Sequence, residues 1–442
     1  MRGIAKLPDM IASRLDKTRR SEAPEKDARA PKPASRSQTD AVGAAQYAMS
    51  LSRGRKPSHD RDRGLILPVQ SLGQEDHLRQ TFLGKGLFLV RQDQWEELGQ
   101  LIRDTDVARE KTSEGIATAT LLSQGAREDF VQAARGAFAG GKMPDNHVIL
   151  ALEEALEDCP ECWGVAVVVA QAHMDIGLAA LGNGHPSTRP ALDNKVFRHH
   201  FARAAEILDA YCAVELGSPL MAEARCDLLL AAPDAPDRVS DDFEDLIDLD
   251  PDNSSHMRRF GLRLLPRWYG SFDRIDDRAH ETAERVGDIW GEGGYTWVWF
   301  DVLRAVPNAA ERLDIDRYLE GMADILDRRG TQHVVNLMAA HAAVAMDPTS
   351  ASDDLSPTAA RKRASINAAF DGIVRGHLRE LHPRHWAEAQ QSPFHPMPDI
   401  EALAEDGEAL ARTLISRHFR EELSSGRTVT FSPRGLELQT PA

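Results

Sequence analysis

An all-α chain of stacked antiparallel helical hairpins, an α-solenoid, is the fold this sequence predicts, and three observations carry the prediction. Apolar residues recur at i, i+3 and i+4 in one segment after another from about residue 70 to 424. Aromatic residues are sparse, at 6%, within a hydrophobic content of 42% that is rich in Ala and Leu, a composition that favours helix over sheet. Short breakers separate the periodic segments, so consecutive helices should run antiparallel and pack side by side.

Taken in order, the chain opens on a basic arm at 1–63, with fifteen Lys and Arg against eight Asp and Glu, although all 442 residues together carry −16. Residues 20–63 are rich in Pro, Ser, Arg and Lys, cannot bury enough apolar surface to offset ordering, and are expected to be disordered. Ahead of them Ile4, Leu7, Ile11 and Leu15 fall at helical spacing among Lys6, Arg14, Lys17, Arg19 and Arg20. That pattern reads as a short amphipathic helix for an anionic membrane or a partner, or as a frayed tail.

A helical region at 64–158, a helical core at 159–350 and a carboxy-terminal helical region at 351–442 are expected to follow. Helix-period segments lie near 93–103, 106–122, 126–139, 145–158, 162–181, 194–212, 218–231 and 237–249. They continue near 254–265, 271–290, 294–305, 309–329, 331–346, 357–381 and 399–424. Gly140-Gly141, Gly182 to Pro190, Pro233 to Pro236, Pro251, Gly291 to Gly294, Pro307 and Pro348 to Pro357 punctuate them. Only Thr428 to Phe431 and Leu436 to Leu438, around Pro433-Arg434-Gly435, read as a terminal hairpin.

Charge and patterning then limit the function classes. An acidic body lacks the clustered cations that phosphate contacts need, so nucleic acid is not an expected partner of it. Pro8 and Asp9 stand where a secretory signal would be apolar, and the run Val165 to Ala170 is far shorter than a membrane span. Four cysteines in so long a chain make no disulfide framework. The cytoplasm is the expected compartment.

One stretch resembles a tetratricopeptide repeat. In FEDLIDLDPDN, Phe243 stands eight residues before Pro251, the spacing between the packing aromatic of that family's second helix and the proline that ends the unit. Phe260-Gly261 then falls where the family has Leu-Gly, the small residue admitting a neighbouring helix. Leu246 replaces the usual small residue, Met257 occupies the tryptophan position, and Pro266 interrupts before a longer loop. The region from Trp163 to Leu303 is similar to uncharacterised bacterial proteins of tetratricopeptide-like type, which implies a tetratricopeptide-like solenoid and no catalytic residue.

The residues that could carry chemistry do not assemble a known site. Cys159-Pro160-Glu161-Cys162 has CxxC spacing, but a helix is predicted before it where redox sites use a strand, and Cys212 and Cys226 do not supply a second close pair for zinc. Both cysteines of the motif read as small buried hydrophobes. His199 and His200 are adjacent and diverge on a helix. His377, His382 and His385 would converge only if the chain turned back at Pro383. His173 and Asp175 read as a satisfied buried polar pair, and His280-Glu281 lacks the second histidine of a zinc helix, position 284 being Glu. Asp248, Asp250 and Asp252 alternate as in a calcium loop, yet Asn253 and Arg259 occupy the places of its Gly and bidentate Glu. Gly291, Gly293 and Gly294, and the lone GxG of Gly84 and Gly86, lack the context of a phosphate loop. No catalytic residue, cofactor or metal set is therefore expected.

Aromatic residues do cluster, at Trp268, Tyr269, Phe272, Trp290, Tyr295, Trp297, Trp299 and Phe300. Core packing explains most of such a cluster, and a recognition surface is the other reading. Arg267, Trp268, Tyr269, Trp297 and Asp301 form the candidate binding groove, since Pro266 should leave the first three at a hairpin tip. The expected function is a scaffold that binds a protein or peptide partner. An enzyme with a site assembled from several helices, or a peripheral membrane adaptor recruited through the amino-terminal arm, are the alternatives.

Overall fold

The computed structural model describes residues 64–70, 72–182, 194–348, 354–394 and 400–440. The amphipathic run at 4–15 and the basic segment 20–63 lie outside them. Within the described residues the protein is mostly helical. No helix among them is long and apolar enough to cross a membrane.

Helix Trp163–Ala179 contains the longest apolar run, and its Val165 to Ala170 have no exposed surface. It is apolar all round because helices Trp95–Val107, Thr118–Ala139, Asn146–Asp158, Lys195–Leu208 and Pro219–Leu228 all pack on it. The second centre is helix Gly293–Ala305, covered by Ser254–Arg263, Phe272–Arg285 and Ile315–Arg329. Gly261 makes the first of those contacts: a Cβ there would lie 1.9 Å from the Val298 carbonyl oxygen, so only glycine permits the approach. Phe243 and Phe260 stack with ring centroids 5.3 Å apart in the pair Ala235–Leu249 and Ser254–Arg263.

Two helical predictions need correction. A twenty-residue helix, Leu72–Arg91, precedes the first predicted one. Its Gly86 is a packing notch against helix Thr118–Ala139, with the Leu122 carbonyl oxygen 2.1 Å from where a Cβ would sit, and not part of a phosphate loop. The predicted helix at 106–122 is instead a loop at 108–117, between helices Trp95–Val107 and Thr118–Ala139.

The terminal hairpin forms: Thr428–Ser432 pairs antiparallel with Gly435–Gln439, Val429 opposite Leu438. A strand not predicted, Leu65–Ile66, adds to it in parallel with Leu65 opposite Val429. Beside this sheet Gln70 N–H donates to Leu381 O, and Leu381 N–H donates to Pro68 O, both at 2.8 Å. The first described segment of the chain is thereby fixed to the carboxy-terminal region.

Between helices Trp163–Ala179 and Lys195–Leu208, His173 Nδ1 and His200 Nδ1 lie 2.9 Å apart, and Asp175 pairs with Arg127 instead of with His173. One ring donates and the other accepts, and burial keeps both neutral near pH 7. Burial lowers each to about 4, and the neighbouring histidine acts in the same direction on His200. Each folded pKa is below the unfolded value of about 6.5, so the unfolded chain binds more protons between the two. Stability is therefore complete above about pH 6.5 and falls as pH drops toward 4, by at most roughly 3 kcal/mol per ring. Thermal melts of wild type and His200→Phe across that window check this. The wild-type melting temperature should drop the more steeply, and parallel curves would contradict the assignment.

Candidate metal centre

Three segments distant in sequence meet beside Leu381. The first is the loop after helix Trp95–Val107. Arg109, at φ 54°, breaks the helical path, and Gly115, at φ 80°, closes a turn by donating its N–H to Thr112 O at 3.0 Å. Ser113 Oγ–H and Glu114 N–H both donate to Glu75 Oε2, at 2.5 and 3.2 Å, which holds the turn against helix Leu72–Arg91. Glu114 is presented there with its side chain only 8% exposed.

The second segment is helix Gln332–Ala340, capped by Thr331 Oγ1, which accepts from Val334 N–H. His333 stands in its first turn. The flanking residues grip the third segment, 377–386. Gln332 Oε1 accepts from Arg379 N–H and Glu380 N–H, and its Nε2 donates to His377 O. Asn336, one turn on, donates to Glu380 O and accepts from His382 N–H and the Trp386 indole.

In the third segment His382 adopts an extended backbone, as a residue before proline must, and Pro383 then starts helix Pro383–Glu388. The separation of three residues puts His382 and His385 on one side. Glu114, His333, His382 and His385 thus each offer a ligand atom within 4.8 Å of the others. His385 Nε2 is 2.9 Å from His333 Nδ1.

The outer ring nitrogens have carboxylate neighbours. His382 Nε2 lies 3.1 Å from Glu380 Oε1, leaving Nδ1 buried without a hydrogen-bond partner, on a residue 5% exposed. His385 Nδ1 faces Glu388 Oε2 at 3.6 Å, leaving Nε2 toward the cluster. Carboxylates placed this way fix the tautomer and ring orientation of metal-binding histidines. Arg384 holds the second carboxylate by donating from Nε to Glu388 Oε1 at 2.6 Å, and its Nη1 is 3.7 Å from Glu114 Oε2.

The charge states suit ligation. Burial, reinforced by His385 and His382, holds His333 well below the usual imidazole range. Burial lowers His382 too, against the pull of Glu380. Burial raises Glu114, opposed by His385 and Arg384. For Glu388 burial is outweighed by His385 and Arg384, which hold it down at about 2. His333 and His382 are thus neutral bases near pH 7, and a divalent ion would favour the ionised form of Glu114 against its burial.

His377 does not join this group: the chain turns there, and its backbone donates to Ile373 O and accepts from Gln332 Nε2. Sequence reading reached two of these four residues, His382 and His385, and did not bring them together with the others. His333 carries no local motif, and Glu114 was placed in a helix that does not form.

The five residues of the expected groove do not line one open surface. Trp297 is fully buried, edge-on to Trp290 and tilted against Phe300. Asp301 is an interior counter-ion, 2.9 Å from Arg258 and 2.7 Å from Arg304. Tyr269 is buried and donates its hydroxyl to Leu229 O. Trp268 is 8% exposed at the wall of a cleft, and Arg267 is exposed above Phe394. The cause is the covering of helix Gly293–Ala305 on all sides, which turns Trp297 and Asp301 inward.

The remaining motifs are structural. Cys162 caps helix Trp163–Ala179, packs on Gly99 and accepts from Arg103 Nη1 at 3.0 Å. Asp248, Asp250 and Asp252 pair separately with Arg285, Lys111 and Arg329. Comparison with family models, curated proteins and solved structures finds no match.

Asn336 should prove indispensable to the centre. Replacing it by Ala leaves buried groups of Glu380, His382 and Trp386 unpartnered, each costing about 1–3 kcal/mol. Chemical denaturation of Asn336→Ala should show a loss of about 3 kcal/mol or more. A change under about 0.5 kcal/mol would show that water replaces the amide.

Proposed function

We propose that this protein is a helical scaffold fastened by one divalent transition-metal ion, bound by Glu114, His333, His382 and His385. The observation that carries the reading is their convergence within 4.8 Å, with carboxylates on the outer nitrogens of His382 and His385. Zinc takes nitrogen donors at about 2.0–2.1 Å, hence about 3.3 Å between donors on a tetrahedron. The His333–His385 pair is already closer than that, and the widest separation needs to contract by about 1–2 Å, within the reach of side-chain rotation. Three imidazoles and one carboxylate suit zinc and its first-row neighbours, whereas magnesium and calcium want oxygen alone.

Four protein donors fill a tetrahedron, the arrangement of structural zinc, whereas catalytic zinc keeps a position open. An ion here would join the 108–117 loop to helix Gln332–Ala340 and to helix Pro383–Glu388, so its binding energy would stabilise the fold. Partner binding by the scaffold is a second reading, supported by the cleft beside Trp268 and Phe394.

Elemental analysis of protein purified without chelators should find one equivalent of zinc or a neighbouring metal. Cobalt loading should give tetrahedral absorption bands. His382→Ala and His385→Ala should each abolish stoichiometric binding, and Glu380→Gln should weaken it about 10–100-fold. Chelation should lower the melting temperature of wild type and leave the histidine variants unmoved. Correctly folded protein that holds no metal and gives no cobalt spectrum would overturn the reading. A five- or six-coordinate cobalt spectrum would replace the structural role with a catalytic one.

A further inference from the structure

A second site lies away from the metal ligands. A cleft of about 400 Å³ opens between helix Ser254–Arg263, Trp268 and the Pro393–Phe394 turn. That is within the range of small-ligand pockets. Trp268 and Phe394 form aromatic walls, and each carries a guanidinium on its face: Arg263 lies 4.6 Å from the Trp268 ring centre, and Arg267 lies 4.9 Å from that of Phe394.

The charges are not evenly spent. Glu223 and Asp227 both contact Arg259, the latter at 2.7 Å. Arg263 reaches Asp227 only at 3.9 Å, and its guanidinium makes no hydrogen bond among the described residues. A guanidinium has five donors in a fixed plane and binds carboxylate in a bidentate manner. Within the lining Glu223, Asp227, Arg259 and Arg263 cancel, with Arg263 the loosely paired member, and Arg267, over Phe394 and outside the lining, adds one positive charge beside it. A flat apolar body carrying one anionic group complements the two aromatic walls and the loosely paired Arg263.

We propose that this cleft binds a small aromatic carboxylate, its ring against Trp268 and Phe394 and its carboxylate on Arg263. The site is independent of the metal centre and stands or falls without it. Aromatic stacking and cation–π contacts supply the apolar share of recognition, and the Arg263–carboxylate pair supplies the choice of anion.

The probe is indole-3-propionate, with its uncharged isostere indole-3-propionamide, measured by calorimetry on the full chain. Indole-3-propionate should bind saturably, and the amide at least about tenfold more weakly. Arg263→Gln should lose about tenfold or more for the acid and little for the amide, and Arg263→Lys should fall between, keeping charge without the planar fork. Phe394→Ala, at a half-buried turn where folding is least at risk, should weaken acid and amide alike. Equal binding of acid and amide, or no saturable binding of the acid up to about 1 mM, would overturn the proposal. So would full affinity in both Arg263→Gln and Phe394→Ala.

Discussion

Asn336 has no exposed surface, yet every hydrogen-bonding valence of its amide is used. Nδ2 donates to Gln332 O and Glu380 O at 2.8 and 2.9 Å, while Oδ1 accepts from His382 N–H and Trp386 Nε1 at 2.9 and 3.0 Å. A buried primary amide must find two acceptors and two donors or lose the hydration it gave up. That requirement fixes the 380–386 segment to one register on helix Gln332–Ala340, and His382 and His385 arrive beside His333 as a result. From the other side Pro68 and Gln70 clasp Leu381, so the same segment is held between the first described strand region and the helical interior. Such double anchoring positions a first coordination shell more firmly than a free loop would.

The helices were legible where one face is apolar and the other polar, because periodicity reports directly on that contrast. It failed in two places. Helix Leu72–Arg91 has a weak apolar stripe, and of the two glycines of its lone GxG, Gly84 and Gly86, the second is a packing notch. The segment 106–122 carries apolar residues at helical spacing, and nothing in propensity announces the left-handed Arg109. Thr112-Ser113-Glu114-Gly115 was the available signal, a turn-like string ending in glycine. Reading it as helix removed Glu114 from consideration as a ligand. His333 could not be found locally at all, since its partners come from other segments and only the tertiary fold unites them.

The aromatic cluster shows the converse limit. Trp297 and Trp299 point in different directions from one helix, and on a surface hairpin one of them would reach solvent. Helix Gly293–Ala305 is surrounded, so both are fully buried. Sequence composition detected that something large was being packed at this point and could not say that it was packed on every side. Trp268 keeps a small exposed edge at the cleft, because Pro266 ends the helical path ahead of it and leaves a turn there.

Asp301 connects these regions. Burial disfavours its charge, but Arg258 and Arg304 outweigh burial and hold its pKa below the ordinary carboxylate value. Arg304, so neutralised, donates through Nη2 to Glu388 O and Gln391 O at 2.7 and 3.0 Å, the carbonyls at the end of helix Pro383–Glu388. A cation at a helix carboxy terminus satisfies orphan carbonyls and opposes the helix dipole. An unpaired Arg304 in this interior would cost several kcal/mol, so the acid is what allows the arginine to serve as a cap. The capped helix carries His385 and Glu388, and the chain leaving it runs within a few residues to Pro393 and Phe394. One interior carboxylate therefore supports, through a single arginine, both the segment that presents two imidazoles and the turn that walls the cleft.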